Sequence, residues 1–143
     1  MNSASLRTVI SGSYRRHLRE LYELKSHLEG IGINVLSPIG SFALNPNEEF
    51  VFLDADPVHD KRLLQDSVFG KIRTSSFLVL ANFDGYIGNA ALIEVGYALS
   101  FGLQILTVEP VEDPNINLYT RVLYDVFSDL KSLQKNQEVL CNH

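Results

Sequence analysis

The most constraining feature of the sequence is a continuous apolar run, Phe77-Leu78-Val79-Leu80-Ala81, which a glycine-containing turn and a helical pattern follow. An uninterrupted apolar run of this length indicates a strand buried on both faces, and such strands are typical of parallel sheets. The helical pattern spans residues 89–101 and stops at Gly102, a residue type that commonly follows a helix end. The order strand, turn and helix therefore predicts one unit of a parallel α/β sheet.

The same alternation continues along the rest of the chain. Hydrophobic patterning predicts strands at residues 6–10, 33–36 and 104–108, and helices at residues 14–29, 60–74 and 118–134. Residues 49–53 are interpreted as a further candidate strand between loops. We expect an open parallel sheet of about five strands with helices on both faces, formed by residues 1–143 as a single domain. In such sheets ligands bind beyond the carboxyl ends of the strands, where the strand order reverses.

Composition excludes several classes of protein. The chain has 143 residues, of which 45% are apolar and 20% are charged, which is typical of an ordinary globular domain. A net charge of −5 with scattered basic residues argues against a nucleic-acid polymer as partner. The single cysteine forms no disulfide within the chain, and residues 1–7 lack a signal-peptide pattern. No apolar run approaches the roughly 20 residues that span a membrane, so we expect a cytoplasmic protein without a membrane partner.

The loop after the first predicted strand is the first candidate for a ligand site. Its sequence is Ser11, Gly12, Ser13, Tyr14, Arg15 and Arg16, and it opens a helix. Backbone N–H groups, hydroxyls and guanidinium groups in that position bind phosphate or carboxylate groups. A glycine turn with a serine cap and solvated arginines explains the same residues without any ligand.

Glu94 is the second candidate, on the helix that follows the apolar strand. Its neighbours Ala91, Val95 and Ala98 belong to the face that packs on the sheet, so the carboxylate lies near the edge of that face. A partly buried carboxylate needs a partner or a chemical role, because burying its charge is unfavourable. The alternative is a solvent-facing glutamate stabilised by the positive end of the helix dipole.

An acidic cluster with one histidine occupies the middle of the chain. Its members are Asp54, Asp56, His59, Asp60 and Asp66. Their spacing is irregular, whereas metal ligands converge at regular spacing, so loop-wall and helix-capping roles are favoured. We expect no metal and no cofactor.

Three segments together resemble the nucleoside 2-deoxyribosyltransferase superfamily, which includes 2'-deoxynucleoside 5'-phosphate N-hydrolases. They are the turn Ser11-Gly12-Ser13-Tyr14, residues 71–82, and the element Glu94-Val95-Gly96-Tyr97-Ala98 with Gly102 after it. The similarity covers roughly residues 6–109. The resemblance implies a flavodoxin-like domain with three layers, and homo-oligomers whose subunits complete each other's pockets.

By this resemblance Glu94 matches the nucleophile that attacks the anomeric carbon of the sugar. Members of the superfamily carry further aspartates, and the matching positions here are Val68 and Gly88. The nearest acids, Asp66 and Asp84, are therefore the other candidate catalytic residues.

The candidate ligand-binding residues lie in two loops. The resemblance implies the loop of residues 11–16, and a position beyond the carboxyl end of the apolar strand indicates the loop of residues 82–89. The candidate residues are Ser11, Gly12, Ser13, Tyr14, Arg15, Arg16, Asn82, Gly85, Tyr86 and Gly88. The expected function is N-glycosidic bond cleavage or deoxyribosyl transfer on a small-molecule nucleoside or nucleotide. Because the matching positions lack two aspartates, a nucleotide-binding module that has lost catalysis is the alternative.

Overall fold

A computed structural model describes residues 6–128. The strands are β1 (Arg7–Ser11), β2 (Asn34–Ser37), β3 (Phe77–Leu80), β4 (Ile105–Thr107) and β5 (Thr120–Val122). The helices are α1 (Tyr14–Gly30), α2 (Lys61–Arg73), α3 (Asn89–Ser100), α4 (Pro114–Asn117) and α5 (Leu123–Val126). A single 3-10 turn, Phe83–Gly85, separates β3 from α3.

All five strands form one parallel sheet in the order β2-β1-β3-β4-β5. Alternate strand residues face opposite sides of the sheet. On one side Ile10, Val79 and Leu106 pack against α1 and α5. On the other side Val9, Leu78 and Ile105 pack against α2 and α3. The three layers and the strand order confirm the expected flavodoxin-like α/β domain.

Side-chain caps define where the two longest helices begin. The hydroxyl of Ser13 accepts a hydrogen bond from the backbone N–H of Arg16 at 3.1 Å, at the start of α1. A carboxylate oxygen of Asp60 accepts from the N–H of Leu63 at 3.0 Å, at the start of α2. Each cap satisfies an N–H that has no partner within its helix.

The prediction of a helix over residues 118–134 is wrong in the part of the chain that the structure describes. Residues Thr120–Val122 form the fifth strand, which pairs with β4, and the helix α5 is confined to Leu123–Val126. Residues 129–134 lie outside the described residues. Two β-branched residues favour an extended backbone here, and the strand is too short to show a period of two.

The candidate strand at residues 49–53 is also absent from the sheet. Leu53 forms an isolated antiparallel bridge with Ala43, and the segment otherwise has no regular secondary structure. The fifth strand of the sheet is therefore supplied by a later part of the chain.

The strand order creates a crevice next to β1. The chain leaves β1 towards β2 on one side and returns to β3 on the other side. The loops after β1 and β3 diverge at this switch point, and the carboxyl ends of both strands open into the gap. Among residues 6–128, no helix is long and apolar enough to cross a membrane.

Candidate functional site

A cavity of about 770 Å³ lies at this crevice. Its walls come from the loop after β1, residues 37–57, one face of α2, and the start of α3 with the residues before it. Pockets of this size hold small organic ligands.

Glu94 lies in the cavity wall and is only 9% exposed. The hydroxyl of Ser11 donates a hydrogen bond to Oε1, and the side-chain amide of Gln65 donates to Oε2 at 2.8 Å. Burial raises the pKa of the Glu94 carboxyl, and the bonds from Gln65 and Ser11 act in the opposite direction. Each carboxylate oxygen therefore has one neutral donor in a poorly solvated setting.

Local sequence explains why this acid is buried. Ala91, Val95 and Ala98 form the face of α3 that packs on the sheet, and Glu94 lies beside them at spacings of three and four residues. Ser11 ends β1 two residues after Val9, so both side chains point to the α2–α3 side of the sheet. The fold thus brings the end of the central strand to the carboxylate.

Tyr14 and Ser37 form a second polar pair in the cavity wall. The Tyr14 hydroxyl lies 3.2 Å from Oγ of Ser37, which joins the start of α1 to the end of β2. Burial raises the pKa of the Tyr14 phenol, and the charges of Glu94 and Asp56 raise it further. The phenol is therefore neutral at physiological pH and available to donate or accept a hydrogen bond.

Charged groups of both signs also line the cavity. Lys71 of α2 and Asp56 both line it, and Asp56 accepts a hydrogen bond from the N–H of Leu53 at 2.7 Å. Burial lowers the pKa of the Lys71 amine, and the negative charge of Asp56 opposes that shift. Arg15 and Glu49, which also line the cavity, form an ion pair at 3.3 Å.

The loop between β3 and α3 contributes Tyr86 and Gly88 to the cavity wall. The guanidinium carbon of Arg16 lies 3.9 Å from the centre of the Tyr86 ring, a cation–π geometry. The ring of His17 lies 5.6 Å from that of Phe83 and 6.5 Å from that of Tyr86. The start of α1 therefore holds this loop through aromatic contacts.

Six residues predicted for the site do not line the cavity, namely Ser11, Arg16, Asn82, Asp66, Asp84 and Gly85. Arg16 stacks on the Tyr86 ring instead. Asp66 is 51% exposed and pairs with Arg62 at 3.5 Å, and Asp84 is 89% exposed and lies 3.5 Å from Nε2 of His17. Gly85 is exposed and has a φ of 75°. Asn82 is buried, where it binds the backbone after β4. The residues that the structure brings together at the cavity are Gly12, Ser13, Tyr14, Arg15, Tyr86, Gly88 and Glu94, with Ser11 bonded to Glu94.

The acidic cluster separates into different roles. Asp60 caps α2, Asp54 accepts from the N–H groups of Ser41 and Phe42, and Asp56 lines the cavity. Within residues 6–128, no group of three or more His, Cys, Asp or Glu side chains is arranged to hold a metal ion.

Gln65 was missed by the sequence reasoning. It lies three residues before Val68 and seven before Ile72, so the three share one face of α2. That face packs on the same side of the sheet as α3. A polar residue on an otherwise apolar helical stripe is the signal that would have identified it.

Comparisons with protein-family models, with curated proteins and with solved structures found no match to the chain. The fold and the cavity geometry are therefore the observations from which a function is argued.

Proposed function

We propose that this chain is an N-glycosidase or a deoxyribosyltransferase-like enzyme that acts on a nucleoside or nucleotide, with Glu94 as nucleophile. The observation that supports this most is the Glu94 carboxylate in the wall of a ligand-sized cavity, with one hydrogen-bond donor on each oxygen. A poorly solvated carboxylate in a fixed orientation suits attack on an electron-poor carbon.

In the proposed reaction, an oxygen of Glu94 attacks the anomeric carbon while the bond to the base nitrogen breaks. The base leaves with the electron pair of that bond and takes up a proton from water. The carboxylate first stabilises an oxocarbenium-like transition state and then forms a glycosyl ester, as in retaining glycosidases. Water releases the sugar from the ester in hydrolysis, and a second base does so in transfer.

The loop after β1 supports a phosphorylated substrate. Arg15 lies at the cavity wall and the N-terminus of α1 opens there, so a cation and a positive helix end occupy the same side. Arg16 stacks on the Tyr86 ring, and Arg15 pairs with the exposed side chain of Glu49. Arg15 is therefore the guanidinium that would exchange its partner for a 5'-phosphate.

A second candidate is a nucleotide-binding module without catalysis. It is favoured by the position of Asp66 and Asp84, whose side chains are solvent-exposed and do not line the cavity. The other two acids that line it, Glu49 and Asp56, bind Arg15 and the N–H of Leu53 respectively. Among the described residues, none of these four acids is bonded to Glu94. No second acid is therefore held beside the nucleophile to give a proton to the leaving base.

The proposal includes self-association. Large apolar side chains are exposed on and around α2 and α3, namely Leu63, Leu92, Ile93 and Phe101. Exposed apolar groups on two neighbouring helices suit a subunit contact. Sedimentation measurements across a concentration series test it, and a monomer at all concentrations contradicts it.

The enzyme proposal is tested by following base release from a panel of nucleosides and 5'-mononucleotides. We expect wild type to release base from at least one of them, and Glu94→Gln to reduce the rate by about a thousandfold or more. Glu112→Gln, the same change at an exposed position, is the matched control. If wild type binds a nucleotide in calorimetry without releasing base, the module is supported. If it neither binds nor cleaves any member, both candidates fail.

A further inference from the structure

We propose that Gln65 and Ser11 are positioning residues that hold the Glu94 carboxyl in one orientation and favour its ionised form over its protonated form. This inference rests on the proposed nucleophilic role of Glu94. The two donors come from different elements: Ser11 ends the central strand, and Gln65 projects from α2 across the crevice. They approach different oxygens, so together they fix the plane of the carboxylate.

Both donors to Glu94 are neutral groups. A serine hydroxyl and a primary amide both donate hydrogen bonds, and neither exchanges a proton with a carboxylate near neutral pH. An acidic side chain in place of Gln65 would share a proton with Glu94, as paired carboxylates do. A neutral donor at this position therefore stabilises the charged form without offering a proton in return.

Burial makes these donors necessary. Removing a carboxylate from water favours its protonated form, and a protonated carboxyl is a poor nucleophile. The bonds from Gln65 and Ser11 oppose this effect of burial. The amide oxygen of Gln65 has no protein donor among residues 6–128, and it remains free to accept a hydrogen bond from a sugar hydroxyl in the cavity.

Other ionisable groups surround the same cavity and contribute to its field. They are Tyr14 and Arg15 from α1, Glu49 and Asp56 from the segment after β2, Lys71 from α2, and Tyr86 before α3. None of these six side chains has a hydrogen bond or ion pair with Glu94 in the described chain, so direct contact singles out Gln65 and Ser11.

The experiment measures the titration of the Glu94 carboxyl carbon by NMR in the ligand-free protein. The variants are Gln65→Leu and Ser11→Ala, which each remove one donor, and Gln65→Glu, which replaces a donor by an acid. Gln104→Glu is the matched control, because it makes the same chemical change at an exposed residue just before β4. That residue lies at the amino end of the strand, whereas the cavity lies at the carboxyl ends of the strands.

We expect the Glu94 pKa to rise by about one unit or more in each of the three variants, and to stay unchanged in Gln104→Glu. For Gln65→Glu the apparent values belong to the pair of acids, and the higher one is compared. In the rate profile for base release, the acid limb of Gln65→Leu should move up by the same amount, and the high-pH plateau should fall because the carboxylate is no longer held in one orientation. A merely structural defect would lower the whole profile and leave the acid limb at its wild-type pH.

The proposal is overturned if the Glu94 pKa in both Gln65→Leu and Ser11→Ala equals that of wild type. This readout needs no substrate. If wild type releases no base, the proposed enzymatic function fails, and the carboxyl titration still decides whether Gln65 and Ser11 set the charge of Glu94.

Discussion

Ser11, the last residue of β1, donates its hydroxyl to Oε1 of Glu94, which lies 83 residues later in α3. The bond joins the two elements that border the crevice in the sheet. A contact over this distance in sequence forms only when the central strand and α3 are packed together. The candidate site is therefore complete only when these two elements have packed together.

The stability of the protein should depend on pH through Glu94. Burial raises the pKa of this carboxyl above its ordinary value of 4.5, so the folded protein binds the proton more tightly than the unfolded chain does. The contribution of Glu94 to stability is thus greatest below pH 4.5 and decreases as the pH rises through the folded value. We expect Glu94→Gln to remove this dependence, as measured by urea unfolding of both proteins across a pH series. A difference that grows in favour of wild type with rising pH would contradict the prediction.

Arg15 should distinguish nucleotides from nucleosides. If Arg15 binds a 5'-phosphate, Arg15→Gln weakens binding of a mononucleotide by about tenfold, because a charge-assisted bond of about 1.5 kcal/mol is lost. Binding of the corresponding nucleoside should change much less. Arg19→Gln is the control, since Arg19 lies on the same helix and pairs with Glu23 away from the cavity. Equal effects of Arg15→Gln on both ligands in calorimetry would exclude phosphate recognition by this residue.

Asn82 should be a stability residue. Its amide donates to the carbonyl of Glu109 at 2.9 Å, and its oxygen accepts from the N–H groups of Val108 and Glu109. We expect Asn82→Ala to destabilise the fold by about 2 kcal/mol or more, because buried backbone groups lose their partners. Asn82→Asp keeps the acceptor but places a buried carboxylate oxygen against the carbonyl of Glu109, so it should also destabilise the fold at neutral pH. Equal stability of wild type and Asn82→Ala in denaturant unfolding would show that water replaces the side chain.

Gly12 should not tolerate a methyl group. A Cβ at this position would lie 2.8 Å from Cδ2 of Leu21 and 3.3 Å from the Cβ of Ala81. We expect Gly12→Ala to destabilise the protein by about 1–3 kcal/mol through overpacking. Gly30→Ala is the control, because nothing lies within 4 Å of its Cβ position at the end of α1. A melting temperature of Gly12→Ala equal to that of Gly30→Ala would show that Leu21 moves aside freely.

Much of the sheet is predictable because its signals are local. The strand β3 is buried on both faces, and its continuous apolar sequence predicts this burial. The strand β5 gives no such signal, since it has three residues and none of them is fully buried. Its strand conformation depends on pairing with β4. The hydrophobic pattern of residues 118–134 gives no information about that pairing.

The candidate site was predictable only on one side of the crevice. Glu94 and the loop after β1 each follow an apolar strand. The order of strands and helices along the sequence therefore predicts that they lie at the carboxyl ends of the strands. Gln65 and Asp66 are adjacent on α2, and one step along a helix turns a side chain by about 100°. Gln65 contacts Glu94 and Asp66 pairs with Arg62 near the surface. Which of the two faces the cavity depends on how α2 packs, and this information lies outside α2 itself.

The segment between β2 and α2 forms the outer wall of the cavity with almost no regular structure. One isolated bridge, between Ala43 and Leu53, links its two arms, whereas the inner wall is built on the sheet and on two helices. Substitutions and length changes in such a segment disturb few contacts of the core. Substitutions in this wall would therefore alter the shape of the cavity while leaving the hydrogen bonds of Glu94 in place.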